Sequence, residues 1–274
     1  MNKFCKQLVL VVTCVLVGAG AAFAENVVMK GSTTVLPIAQ ATLEAYMKAN
    51  MGVNISLSGG GSGEGIKAML DGSTDIANSS REIKPAEVDL AKTKGINPVE
   101  TVVAIDAIVP IVNPKNSVKN LSVDQLSLIY KGTITNWKEV GGENLEIVVI
   151  SRDSSSGTFE AWGELVLKGA KVSPRAQLQA SNGAIVQAVS KNKYAIGYIG
   201  LGYIDKTIKA LTVNGIKASE KTALSKEYPV SRFLYMYTNG APKGETAKFI
   251  KFVLSPAGQA LVKKEGFVPL PKKK

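Results

Sequence analysis

The sequence predicts an α/β protein, and three observations carry that expectation. After residue 24, short β-branched runs alternate with amphipathic stretches along the whole chain. The order strand, small polar turn, helix start recurs, as where "NVVMK" is followed by "GSTTVLP". Two longer apolar runs, "VETVVAIDAIVPIVNP" at 99–114 and "YPVSRFLYMYTNG" at 228–240, break that rhythm; the first is too rich in valine and isoleucine for a comfortable helix.

Taken in order, "NVVMK" reads as a strand, and Leu36, Ala39, Leu43, Tyr46 and Met47 then recur at helical spacing. "GVNISLSG" is a second strand, followed by a glycine-rich turn and a helix with Ile66, Met69 and Leu70 on one face. "TDIANSS" is a third strand that ends in hydroxyls. The run at 99–114 reads as a strand leaving one lobe for another, and the run at 228–240 as the return. Between them "LSVDQLSLIYKG", "LEIVVISRD", a helix after Gly157 with Phe159, Trp162, Leu165 and Val166 on its buried face, and "YAIGYIGLGYI" make a complete α/β unit. Two helical patterns split at Ser255-Pro256 close the chain.

The first 24 residues, "MNKFCKQLVLVVTCVLVGAGAAFA", have a basic start, an apolar run and an Ala22-Phe23-Ala24 end, the pattern of a secretory signal peptide. An uncleaved anchor is the rival reading, opposed by the shortness of the apolar run; a lipoprotein modified at Cys14 is another, opposed by the threonine before it. Both cysteines, Cys5 and Cys14, lie in this leader, and the chain has no histidine. The remaining chain therefore has no thiol for a disulfide, a nucleophile or a zinc site. Removing the leader takes two lysines and no acids from a formal charge of +11, leaving +9. The lysines are scattered and not interleaved with aromatics, which argues against a nucleic-acid groove and fits attraction of small anions.

Four turns fall at predicted helix starts: 31–36, 59–65, 78–81 and 151–158. In parallel α/β sheets ligands sit beyond the carboxyl ends of strands, where helix amino termini favour negative charge. "SRDSSSGTFE" offers Arg152 as a bidentate fork, the hydroxyls of Ser154, Ser155, Ser156 and Thr158, and Gly157 for close backbone approach. "GSTTVLP" offers Ser32, Thr33, Thr34 and the amides of Val35 and Leu36, and "SGGGSGEGIK" offers Ser62 among glycines. That glycine turn is no P-loop, because Ile66 separates Gly65 from Lys67. "NSSREI" adds Ser79, Ser80 and Arg81, the last either a ligand or the partner of Glu82 or another surface acid.

The combination of "GSTTVLP", "GGGSGEGIK", "DIANSSREI", "AIDAIVPIVNP", "IYKGTITNWKEVGG", "SRDSSSGTFE", "AIGYIGLGY" and "FVLSPAGQALVKKEGFVPL" resembles the periplasmic phosphate-binding proteins of bacterial phosphate ABC importers, over nearly the whole chain after the leader. The resemblance implies a type II periplasmic-binding-protein fold, with two α/β lobes joined by two crossover strands: residues 25–105 and 231–274 as lobe I and 106–230 as lobe II. It implies a monomeric, periplasmic receptor with no cofactor, no metal and no catalytic residue, whose partners are inorganic phosphate and an inner-membrane ABC permease. The family's phosphate contacts fall on Thr34, Val35, Leu36, Ser62, Ser80, Arg152, Ser156, Gly157 and Thr158. The best-known branch places an aspartate where this chain has Ser80, so another acceptor is needed for the proton that phosphate carries and sulfate lacks. Asp106, Asp153 and Glu64 are the candidates.

Other classes remain to be weighed: a receptor for another oxyanion such as sulfate, a secreted phosphatase or serine hydrolase, and an adhesin on the same fold. The absence of histidine removes a Ser-His-Asp triad but leaves a Ser-Lys pair or a carboxylate-only metal site conceivable.

Overall fold

The structure is a computed structural model that describes residues 26–271; the predicted leader with its two cysteines, and the last three lysines, lie outside these residues. The first part of the chain builds β1 (Asn26–Gly31), α1 (Leu36–Ala49), β2 (Asn54–Gly59), α2 (Ser62–Leu70), β3 (Ile76–Ser79) and α3 (Pro85–Thr93). The long strand β4 (Pro98–Val112) follows, then β5 (Asn120–Leu121), α4 (Val123–Lys131), β6 (Val148–Arg152), α5 (Gly157–Leu165), β7 (Gln177–Gln179), α6 (Asn182–Lys191) and β8 (Ala195–Gly200). After the short β9 (Lys209–Ala210), β10 (Thr212–Val213) and α7 (Glu220–Leu224) come β11 (Ser231–Asn239), α8 (Gly244–Leu254) and α9 (Pro256–Lys264).

The main sheet has the order β2-β1-β3-β11-β4-β8-β6-β7, with β9 added to β4. β1, β2 and β3 are parallel, as are β6, β7 and β8, while β11 and β4 run antiparallel to each other between the two groups. β4 changes partner midway: Pro98 to Ala107 face β11, and Ile108 to Val112 face β8. Its valines and isoleucines are buried from Val103 onward apart from Ile105, which explains a nearly continuous apolar run in the sequence.

Two large apolar cores flank this change of partner. One joins β1, α1 and β3 to α8 through Met29, Ile38, Leu43, Ile76, Leu234 and Phe249. The other gathers Ile111, Tyr130, Trp137, Trp162, Ile185 and Tyr198 around β6 and β8. Each large apolar side chain so buried contributes about 1.5–3 kcal/mol. The expected helix faces are found at Ala39, Leu43 and Tyr46 in α1 and at Ile66, Met69 and Leu70 in α2. In α5 the expectation holds for Trp162, which stacks on Tyr198 at 4.4 Å, and fails for Leu165, which is 37% exposed. Leu165 is the helix's last residue and lines a groove with Glu164 and Leu224, so its apolar surface is covered on one side only.

Candidate functional site

The turns that follow β1, β2, β3 and β6 meet at one place between the two cores. At the end of β1, Gly31 has φ +133°, and a Cβ there would sit 2.2 Å from the Asn78 carbonyl oxygen, so only glycine fits. The Ser32 amide donates to that same carbonyl at 2.8 Å, tying the first turn to β3. Ser32 Oγ accepts from the Thr34 amide at 3.1 Å and from the Val35 amide at 3.4 Å, and α1 begins at Leu36. The Val35 amide expected to serve an anion makes only this long 3.4 Å contact within its own turn, so it can still be given to an anion.

Across the cleft, Ser156 caps α5, its hydroxyl accepting from the amides of Thr158 and Phe159 at 3.2 Å. Gly157 opens that helix with no room for a side chain: a Cβ would lie 2.3 Å from Ser62 Oγ and 2.9 Å from Ser80 Oγ. Ser62 Oγ accepts from the Ser80 amide at 3.0 Å and lies 3.3 Å from Ser80 Oγ. Thr34 Oγ1 and Thr158 Oγ1 are 2.9 Å apart. Thr34, Ser62, Ser80, Ser156 and Thr158 are all buried. Ser155 is turned elsewhere: its one hydroxyl proton is shared between Gly60 O at 2.9 Å and the Asp153 carboxylate, while its carbonyl accepts from the Gly63 amide at 2.9 Å. It joins the glycine turn to the arginine turn, and Ser154 is exposed; neither hydroxyl faces the cradle as the sequence suggested.

The charges sort into three arrangements. Arg152 is 1% exposed; Nε donates to Gln179 O at 3.0 Å and Nη2 to Ala180 O at 2.9 Å, which leaves the Nη1–Nη2 edge for bidentate contact. Among the described residues its one carboxylate in ion-pair range is Asp153 Oδ2, 3.9 Å from Nη2. Burial pulls the Arg152 guanidinium below its ordinary range, partly offset by Asp153. Its strand is anchored by Tyr198, whose oxygen accepts from the Arg152 amide at 3.3 Å and lies 2.9 Å from Ser151 Oγ. Burial pushes the Tyr198 phenol up to about 12, so it stays neutral.

Arg81, by contrast, is consumed by acids: it grips Glu87 with two bonds of 2.7 Å and pairs with Glu160 of α5, which Lys84 also reaches at 2.8 Å. Of the two readings of Arg81, the structure supports the structural partner, with Glu87 and Glu160 as the acids, while Glu82 offers only its backbone carbonyl, at 2.8 Å. The third arginine, Arg232 of β11, was not among the sequence candidates. Its Nε and Nη2 donate to Asp106 Oδ2 at 3.0 and 2.8 Å, Nη1 donates to Ser80 O at 3.0 Å, and Nη2 also reaches Thr158 Oγ1 at 3.0 Å and Thr34 Oγ1 at 3.3 Å. Asn182, at the start of α6, was missed as well; its Nδ2 reaches Thr33 and Thr34 Oγ1 at 3.2 and 3.1 Å, and its Oδ1 accepts from the Gly200 amide.

The three candidate acids fare differently. Asp106 is fully buried, with Oδ2 held by Arg232 and Oδ1 by the Leu201 amide at 2.9 Å; burial raises its carboxyl above the usual range despite Arg232. Asp153 Oδ1 accepts from the Ser155 amide at 2.8 Å, closing its own turn. Glu64 is exposed on α2.

A cleft between two α/β units joined by two crossing strands, with helix starts and hydroxyls converging on a buried arginine, defines a solute receptor of the periplasmic-binding class. Residues 17–257 match the PBP superfamily domain. The phosphate-binding protein PstS of Borreliella burgdorferi is 34% identical over 250 residues, covering 87% of this chain and 88% of that protein. Its Pseudomonas aeruginosa counterpart is 30% identical over 309 residues, covering 98% and 96%. A crystal structure with bound phosphate from Clostridium perfringens, described as a phosphate ABC transporter substrate-binding protein, superposes with a TM-score of 0.84 at 37% identity, covering 90% of this chain and all of that one. The chain belongs to the family of phosphate ABC transporter substrate-binding proteins and has the type II periplasmic-binding-protein fold.

Proposed function

We propose that the chain is a receptor that captures inorganic phosphate outside the cytoplasm and delivers it to an ABC-type permease in the inner membrane. The leader at 1–24 supports export to the periplasm, and the chain acts as a monomer. Phosphate is held by the Arg152 Nη1–Nη2 edge, the hydroxyls of Thr34, Ser62, Ser80, Ser156 and Thr158, and the amides of Val35, Leu36 and Gly157. The single observation that carries this reading is Arg152. A guanidinium 1% exposed, with no carboxylate hydrogen-bonded to it among the described residues, costs several kcal/mol to bury unless an anion compensates it.

The division into lobes at 105/106 and 230/231 is supported by the change of partner along β4, between Ala107 and Ile108. Phosphate enters while the lobes are apart, loses its water to these donors, and shifts the population toward the closed form by binding it better. A micromolar dissociation constant corresponds to about 8 kcal/mol, which a few charge-assisted bonds of roughly 1.5–3 kcal/mol each supply. With Asp106 and Asp153 engaged and Glu64 exposed, the proton of monohydrogen phosphate goes to Ser80 Oγ, whose own proton turns to Ser62 Oγ.

The chain is a binding protein and not an enzyme: a chromogenic phosphate ester incubated with it should show no turnover. Isothermal titration should give one phosphate per chain, with sulfate a weak competitor whose standing improves in Ser80→Ala. Absence of heat with phosphate, or sulfate binding as tightly as phosphate, would contradict the proposal.

A further inference from the structure

Arg232 sits on β11 opposite Asp106 of β4, the two facing each other in register where the crossing strands meet the cleft. Its side chain is 6% exposed and Asp106's is fully buried. We propose that Arg232 is a positioning residue for anion capture: a pivot that makes the Thr34–Thr158 hydroxyl pair a proton donor toward the anion and ties both sides of the cleft to the hinge. The inference rests on the phosphate reading and adds to it a residue that makes no claim to touch phosphate.

The argument is a count of protons and lone pairs. Of the two protons on Nη2, one goes to Asp106 Oδ2 at 2.8 Å and the other is shared by Thr158 Oγ1 at 3.0 Å and Thr34 Oγ1 at 3.3 Å. Thr34 Oγ1 also accepts from Asn182 Nδ2 at 3.1 Å. A hydroxyl oxygen has two acceptor sites, and at Thr34 both are taken by N–H groups that can only donate. Its own proton must therefore be given away, to Thr158 Oγ1 at 2.9 Å or to an anion. When Thr34 donates to Thr158, Thr158 accepts from Arg232 and from Thr34, and the proton turned outward is that of Thr158. A threonine pair without this cation would orient either way; with it, the pair is a fixed donor, which is what an anion site requires.

The same guanidinium is also a mechanical junction. Nη1 holds Ser80 O, and Nη2 spans Thr34 before α1 and Thr158 in α5, groups from opposite sides of the cleft. Opening the cleft must break the Thr158 contact while Asp106 retains its grip. Lysine can keep the pair with Asp106 but has no planar fork to reach three further groups.

The test uses the leaderless chain, which has no cysteine of its own. Cysteines introduced at Met51 and Leu178, both exposed, carry a fluorescence-transfer pair that reports closure. Arg232→Lys should weaken phosphate binding roughly 10- to 100-fold, reduce the closed fraction at matched phosphate, and leave the phosphate-free melting temperature nearly unchanged. Thr158→Val should weaken binding alone and add little on top of Arg232→Lys, since the two act through one contact. The paired change Arg232→Gln with Asp106→Asn removes both charges together and serves if the lysine variant fails to fold; it should show the same weakened binding. Wild-type protein that binds phosphate beside an Arg232→Lys protein, or a folded paired variant, that binds within twofold of it overturns the pivot alone, as does full additivity with Thr158→Val. No heat from the wild type takes the phosphate reading and the pivot down together.

Discussion

Two regions of the cleft hold a buried arginine each and use it in opposite ways. At the mouth, Arg81 faces Glu87 and Glu160, with Lys84 joining from the side, so its charge is neutralised within the protein. On the floor, Arg152 spends one edge on the carbonyls of residues 179 and 180, and its one carboxylate in range is 3.9 Å away. The first arrangement is complete without a ligand and fastens structure; the second is incomplete without an anion and binds one. Residue type alone does not separate the two, since both arginines lie at or just past a strand end beside a run of serines, Arg81 after Ser79 and Ser80 and Arg152 before Ser154 to Ser156. The acids around them do.

The sharpest way to break this contrast is to delete each cation in turn. Arg152→Ala should cost at least about 100-fold in phosphate affinity, the equivalent of losing two charge-assisted bonds, with a small change in phosphate-free stability. Arg81→Ala should do the reverse, lowering the unfolding free energy by about 2–3 kcal/mol because Glu87 and Glu160 lose their partner, with less than tenfold loss of affinity. Calorimetry and denaturant titration on both proteins check the pair. Next in size, Gly157→Ala should weaken phosphate binding roughly 5- to 100-fold, since the methyl group strikes Ser62 and Ser80 when the cleft is closed. Glu160→Gln should weaken binding about 2- to 5-fold, with less effect at high salt, as befits a partly exposed contact across the cleft mouth.

The smallest effect expected is one of pH. Burial alone would raise the Glu87 carboxyl, but the bonds from Arg81 and the Lys84 amide outweigh it and hold it below its ordinary value of 4.5. Its contribution to stability is therefore complete above that value and is lost as pH falls through the lower folded one. Melting temperatures taken between about pH 5 and pH 3 should fall less steeply for Glu87→Gln than for the wild type.

Much of this was legible in the sequence because local rules were not overridden. The turns at 31–36, 59–65, 78–81 and 151–158 stand out through small hydroxylated residues at helix starts, and the structure brings all four together. What a single sequence did not give was partner choice. Ser155 lies in the same serine run as Ser156, yet Asp153 and Gly60 turn it away from the cradle. Arg232 was overlooked because it sits in a strand and not in a turn. A signal existed: Asp106 and Arg232 each interrupt an apolar run, and two strands that cross in register bring such charges face to face. Asn182 offered no comparable sign, since its role depends on how the α6 start meets the first turn.

The most direct test of the central claim is a crystal structure of the protein grown with phosphate. Tetrahedral density on the Nη1–Nη2 edge of Arg152, within hydrogen-bond distance of Ser62, Thr34 and Thr158, is the predicted result. Phosphate seated on Arg81, or bound away from Arg152 altogether, would contradict it.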